Sequence, residues 1–252
     1  DFSLDYYRFL SFYFVSFFTS ESRIYFVFVA LVYGYFYKNI IGSLFLKLNG
    51  VLTWEHKTAL LAFIFILPFM GFTFVRFTTA LVIFIYFAIK YFDNYDRKYI
   101  VLSSMAVLVH FSFLFAVSLF ILYYFLPKSR YWFIFYVFSL FFTFVEFEAL
   151  KSLMEVYLPA NIYEAKRGYL NVDIVESIEK SHSELNWYIK YRSDVLRLTS
   201  IFVLSFCFFR DKLDSLANKE LLNFACFFGI VANIISVVPS GFRFQSVSLS
   251  LI

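Results

Sequence analysis

Apolar runs close to the length of a membrane crossing recur along this whole chain, separated by short polar joints. They cover Ile24 to about Phe45, Thr58–Val75, Phe77–Phe92, Tyr99–Leu126, Tyr131–Phe147, Val195–Phe209 and Leu221–Val238, and residues 244–252 open another. A helix crossing a hydrocarbon core of about 30 Å needs roughly 17–25 such residues. A soluble fold of 252 residues cannot hide runs of this number and length, because 62% of the chain is hydrophobic and only 16% is charged. Globular domains average about 45–50% apolar and 25% charged residues. The surplus apolar surface needs lipid to cover it. The expectation is an all-α fold, a polytopic transmembrane bundle with about seven to nine membrane segments, forming a single integral membrane domain over residues 1–252. With 40 Phe and 20 Tyr, the chain has rings suited both to the acyl region and to the interface. Both ends look cut, since the chain opens on Asp1 without a signal sequence and stops at Ile252 inside a new apolar run. A fragment of a longer protein is therefore expected.

Tyr99–Leu126 decides the topology. As one helix it would measure about 42 Å, too long for the hydrocarbon core unless strongly tilted. A polar break at His110-Phe111-Ser112 divides it into two short segments, and positive charge favours a chain turn there. With that turn, one side of the membrane receives Lys38, Lys47, Lys57, Lys90, Arg97, Lys98, Lys128, Arg130, Arg210, Lys212 and Lys219. The short loops of the other side hold only Arg76 and Arg243, with Arg8 and Arg23 in the N-terminal piece. Such an asymmetry marks the cytoplasmic side as the basic one. Residues 1–23, His110, a polar loop at 148–194 and Arg243 then face outward. Glu146, Glu148, Glu155, Glu164, Asp173, Glu176, Glu179, Glu184 and Asp194, at and within this loop, are nine of the chain's 18 acids. Asp173 and Glu176 have capping-box spacing, and Ile174, Ile178, His182, Leu185 and Ile189 follow at helical period. An amphipathic helix across the outer mouth is expected there, after turns at Pro159 and Gly168.

Ionisable residues in or beside hydrocarbon are the natural candidates for chemistry, because lipid makes them costly. Arg76 and Arg243 each head an inward-running helix, in Gly71-Phe-Thr-Phe-Val-Arg76-Phe and Pro239-Ser-Gly-Phe-Arg243-Phe. A helix start attracts phosphate, and arginine adds a planar, permanently charged fork that grips it in two places. Two such residues on one face suit two phosphates, or one pyrophosphate held from both sides. Snorkelling to the interface is the bland alternative for each. His110 is the only histidine within an apolar run; it suits proton carriage or hydrogen bonding to a phosphate oxygen, or else it satisfies a carbonyl freed at the helix break. Ser112 reads as a local backbone partner. Arg197 lies at a helix entry three residues after Asp194, and Glu146 and Glu148 end the preceding helix on the same side. Asp5, Tyr6 and Arg8 form a polar cluster before an apolar run. For these, substrate contact and ordinary solvation both stay open.

Other classes lack their residues. The chain has no Walker loop, no G-x-G-x-x-G, no C-x-x-C, no H-E-x-x-H and no D-x-D pair, so nucleotide-driven transport, nucleotide-sugar chemistry and a metal site have no support. No cofactor is expected. Cys207 and Cys226 lie in apolar runs, where packing explains them. The net charge of +4 is scattered between the runs, where it orients the chain, and does not indicate nucleic acid.

Arg76-x-x-x-Ala80 at a helix start, a basic loop, and then Ala106-x-x-x-His110-x-Ser112 resemble the EpsG family of bacterial membrane proteins, relatives of the Wzy-like O-antigen and capsular polysaccharide polymerases. Gly241-x-Arg243-Phe244 and an opening Asp5-Tyr-Tyr-Arg8 are similar to that family as well. The resemblance runs over nearly the whole chain through short, sparse motifs. It departs at Phe77, where family members often carry Gln, and in spans missing at both ends. The resemblance implies a multi-pass glycosyltransferase of the bacterial cytoplasmic (inner) membrane, independent of metal and nucleotide. Its substrates would be undecaprenyl-diphosphate-linked oligosaccharides, with a growing glycan moved from one lipid diphosphate onto another lipid-linked repeat unit at the outer face. Arg76, His110 and Arg243 would be catalytic, and Asp5, Arg8, Glu146 and Arg197 would bind substrate. Whether a chain-length regulator acts with it, the sequence leaves open. A lipid-linked oligosaccharide flippase, or an O-acyltransferase using His110, would draw on the same residues.

Overall fold

The computed structural model describes residues 6–18, 21–47, 75–129, 131–144, 198–199, 201–202, 205, 216–236 and 241–251. All regular structure among them is helical. The chain forms two compact units, Asp1–Leu126 and Pro127–Ile252. In the first lie α1 (Tyr6–Ser16), α2 (Ser22–Lys47), α3 (Val75–Asn94), α4 (Lys98–Ser103), α5 (Met105–Val109) and α6 (Phe113–Phe125). In the second lie α7 (Tyr131–Ser139), a 3-10 turn (Leu140–Phe144), α8 (Leu216–Ile235) and α9 (Phe242–Leu251). Among the described residues two stretches are long and apolar enough to cross a membrane, Arg23–Leu46 and Val75–Asn94. The expected span at 58–75 except Val75, most of the run 195–209, and the loop 148–194 with its amphipathic helix fall outside the described residues.

Helix α3 is the centre of the first unit, with 14 of its 20 residues buried. Its buried residues run without a break from Phe77 to Ile85, more than two turns, so neighbours pack around it on several sides. Helix α2 contributes Phe36, whose ring lies 5.6 Å from Tyr86 and 5.9 Å from Phe87. Most of α2 is nevertheless uncovered: only 11% of its apolar window is buried, and Phe26, Val27, Leu31 and Tyr35 are exposed. Water does not favour a helix with so much uncovered apolar surface, whereas lipid does.

Helix α3 ends where Tyr95 enters the left-handed region (φ 52°) and donates its N–H to the Tyr91 carbonyl at 2.6 Å. Such a cap normally belongs to glycine. Asp96 then starts the next helix by accepting the Lys98 N–H at 2.9 Å and pairing with the Lys98 ammonium at 2.8 Å. The side-chain hydrogen bond from Lys98 holds the Asp96 carboxyl below its ordinary range. Because the folded value is depressed, this small contribution is present above the unfolded carboxyl's pKa and is lost as pH falls through the folded one. Helices α4 and α5 are divided at Ser104, where the hydroxyls of Ser103 and Ser104 bond back to the Ile100 and Val101 carbonyls, each at 2.6 Å.

In the second unit α8 packs against α7 and α9. Trp132 meets Phe227 edge-on at 5.1 Å, and Tyr136, Leu222 and Cys226 form a small buried core. The expected continuous helix from Tyr131 ends at Ser139 and tightens into the 3-10 turn. Lys128 closes the end of this unit, its ammonium 2.6 Å from a carboxylate oxygen of Glu220, whose side chain is only 7% exposed. Stranding a buried carboxylate costs about 3–5 kcal/mol. The lysine here is partly open to solvent, so Lys128→Met should cost about 1–2 kcal/mol. The double replacement Lys128→Met/Glu220→Met should recover most of that loss in thermal unfolding of the detergent-solubilised protein.

Candidate functional site

The chain reverses direction at His110, and the rings record the reversal. Tyr99 in α4 stacks on Phe87, and His110 at the end of α5 lies against Phe77, so α4 and α5 run antiparallel to α3. On the return, Phe113 lies 5.1 Å from Phe77, Phe120 lies 5.2 Å from Tyr91, and Tyr123 lies 6.2 Å from Phe92. Helix α6 therefore runs parallel to α3. Aromatic pairs of this kind contribute about 0.5–1.5 kcal/mol each beyond the area they bury. The two arms span 12 and 13 residues, or about 18–20 Å each, short of a full crossing. At the opposite end of the unit, Arg97 lies over the Tyr124 ring at 5.3 Å, Lys98 over Tyr99 at 5.0 Å and Lys90 over Tyr86 at 5.8 Å.

The turn has a defined internal chemistry. His110 is extended (φ −149°, ψ 112°), its N–H closing α5 on the Ala106 carbonyl at 2.9 Å. Its own carbonyl accepts the Phe113 N–H at 2.9 Å and so begins the next helix. The His110 N–H and carbonyl are thereby satisfied without the imidazole. The ring instead turns to Ser112, whose N–H reaches Nδ1 at 3.3 Å and whose Oγ lies 2.7 Å from the same atom. While Nδ1 accepts the Ser112 N–H it carries no proton and the neutral ring has its hydrogen on Nε2; the hydroxyl contact fits either tautomer. Ser112 is thus a partner of the histidine ring, where the sequence suggested a backbone partner.

Arg76 lies in the first turn of α3, exposed, next to Phe77. The Phe77 ring is buried and meets the half-buried His110 ring edge-on at 5.6 Å. The structure therefore brings the first turn of α3 and the His110 turn to one end of the unit. Thr79 and Thr78 bond the Val75 carbonyl at 2.7 and 3.1 Å, tightening that turn. Helix α1, which carries Arg8, packs against α5, the segment that ends at His110. The Arg8 side chain lies outside the described residues, as do Asp5, Glu146, Glu148, Asp194 and Arg197.

Arg243, half-buried, lies in the first turn of α9 in the second unit, and its carbonyl accepts the Ser246 hydroxyl. Two residues on, the buried Gln245 donates from Nε2 to Asn233 Oδ1 at 3.2 Å, and Asn233 Nδ2 donates to Ser139 Oγ at 2.9 Å. None of the three residues of this line stands out in the sequence: Ser139 and Asn233 are single polar residues inside apolar runs, and Gln245 sits among the serines that follow Arg243. The available signal was that isolated amides in such runs are costly and face a helical neighbour. Among the described residues no group of three or more His, Cys, Asp or Glu is placed to hold a metal.

No family model, curated protein or solved structure matches the chain.

Proposed function

We propose that this chain is a polytopic inner-membrane protein with seven to nine membrane segments, of the EpsG and Wzy-like polymerase kind. It transfers a glycan carried on undecaprenyl diphosphate onto a second lipid-linked repeat unit at the outer face of the membrane. The supporting observation is the reversal at His110 against Phe77, which gathers Arg76, Phe77, His110 and Ser112 at one end of a helical unit. The aromatic-paired cations Lys90, Arg97 and Lys98 lie at the other end, as expected if that end faces the cytoplasm.

In the reaction, an acceptor sugar hydroxyl forms a bond to the anomeric carbon of the growing glycan while the bond from that carbon to the diphosphate oxygen breaks. The lipid diphosphate departs, and the hydroxyl proton ends on it or in water. Negative charge grows on the departing phosphate, so fixed positive groups there lower the barrier. Arg76 supplies a bidentate cation for a phosphate, and Arg243 is proposed for the same chemistry from the first turn of α9. The Nε2–H tautomer of His110 adds a neutral donor to a phosphate oxygen. Removing charge at Arg76 should block chain growth after the substrate has crossed the membrane. Cells carrying Arg76→Ala are expected to accumulate single lipid-linked repeat units on the outer face, with no long chains. Accumulation of those units on the cytoplasmic face would sink the polymerase reading and favour a flippase, and normal polymer lacking only acyl groups would favour an acyltransferase.

A further inference from the structure

We infer that the hydrogen-bonded line Ser139–Asn233–Gln245 is a positioning device that sets the rotation of α9 and hence the aim of Arg243. The inference rests on the role proposed above for Arg243. The three side chains are 2%, 2% and 4% exposed and come from α7, α8 and α9. The Asn233 amide is used at both ends, accepting from Gln245 and donating to Ser139. Further along α9, the Ser248 hydroxyl bonds the Ala225 carbonyl at 3.0 Å, and Gly229 lets α8 approach closely. Gln245 pairs with Asn233 while Ser248 pairs with Ala225, so α9 runs antiparallel to α8 with its register fixed at two polar points.

Stability alone does not call for such a line. Burying three polar groups returns little net free energy even when all are bonded, and apolar side chains of similar volume would hold the helices together as well. What an amide pair adds is discrimination between registers, as a single buried asparagine does in a coiled coil. Successive residues on a helix are about 100° apart. A slip of α9 by one residue would break Gln245–Asn233 and swing Arg243 away by that angle. The line therefore acts through Arg243, and it need not touch substrate.

The test replaces the line by apolar residues, Ser139→Ala/Asn233→Leu/Gln245→Leu, in the full chain. Thermal unfolding in detergent and polymer output in cells are then measured in the native and Arg243→Lys backgrounds. The triple replacement is expected to keep the unfolding temperature nearly unchanged and to lower polymer output about tenfold, as misaimed groups do. In the Arg243→Lys background it should add little further loss, because the aim of a grip already weakened matters less. Full output from the folded triple variant would overturn the inference, and so would a loss that multiplies with that of Arg243→Lys. Should the triple variant fail to fold, Ser139→Ala alone gives the same test, with a smaller loss that again does not multiply. If Arg243→Ala itself leaves polymer output unchanged, the proposed role of Arg243 fails. If Arg243→Ala abolishes output while the triple variant does not lower it, the inference alone fails.

Discussion

Arg76→Lys is expected to lower polymer output about 10- to 100-fold at an unchanged amount of protein in the membrane, although the positive charge is kept. Lysine is a compact point charge, and it cannot present two parallel donors to one phosphate. The lost second bond is made to an ionised group, which is worth about 1.5–3 kcal/mol. If that bond strengthens as charge reaches the leaving diphosphate, the loss falls on the rate and not on substrate binding. The readout is the size profile of lipid-released glycan, normalised to protein in the membrane. Arg243→Lys is expected to act in the same direction. Full activity in both variants would mean that the residues supply only charge at the interface, as snorkelling arginines do.

Gly229→Val should unfold the second unit several degrees earlier than the native protein. A Cβ at Gly229 would lie 2.5 and 2.7 Å from Cε2 and Cδ2 of Tyr136 and 2.8 Å from Ser248 Oγ. The serine can rotate, but the Tyr136 ring is 2% exposed and has little room to move. Overpacking of this sort costs about 1–3 kcal/mol, and the branched valine sits at the upper end. For a unit of this size that lowers the unfolding midpoint by about 3–5 °C per kcal/mol. Gly34 is the control, since a Cβ there meets nothing within 4 Å. Gly34→Ala should leave the midpoint unchanged or raise it slightly, as alanine is the better helix former. Thermal unfolding monitored by circular dichroism in one detergent separates the two.

Among the described residues, two long apolar runs were legible in the sequence as single helices. The run at Ile24–Phe45 became α2 (Ser22–Lys47), and the run at Phe77–Phe92 became α3 (Val75–Asn94). Arg76 thereby falls within the first turn of its helix. The reversal at His110 was legible because two polar residues, His110 and Ser112, interrupt a run too long for one crossing. The second break at Ser104 was not, since a serine pair within an apolar run is usually tolerated by bonding back to its own helix. The polar extension of α8 to Leu216 also escaped, because Asn218, Lys219 and Glu220 carry no apolar period, and the Lys128–Glu220 pair that anchors them links residues far apart in sequence. The contact of Phe77 with His110 and the line through Asn233 were hidden for the same reason. Periodicity shows which face is apolar, and it does not show which two polar atoms meet across helices.

The central claim is that the His110 turn faces outward while the α3–α4 joint faces the cytoplasm, and substituted-cysteine labelling tests it most directly. Phe111 at the tip of the turn is 54% exposed, and Asn94 is exposed at the other end of α3. With Cys207 and Cys226 first replaced by alanine, Phe111→Cys and Asn94→Cys are treated in intact cells with a membrane-impermeant maleimide. Phe111→Cys should be labelled in intact cells, and Asn94→Cys only after permeabilisation. Labelling of Asn94→Cys in intact cells, with Phe111→Cys protected until the membrane is opened, would contradict the account.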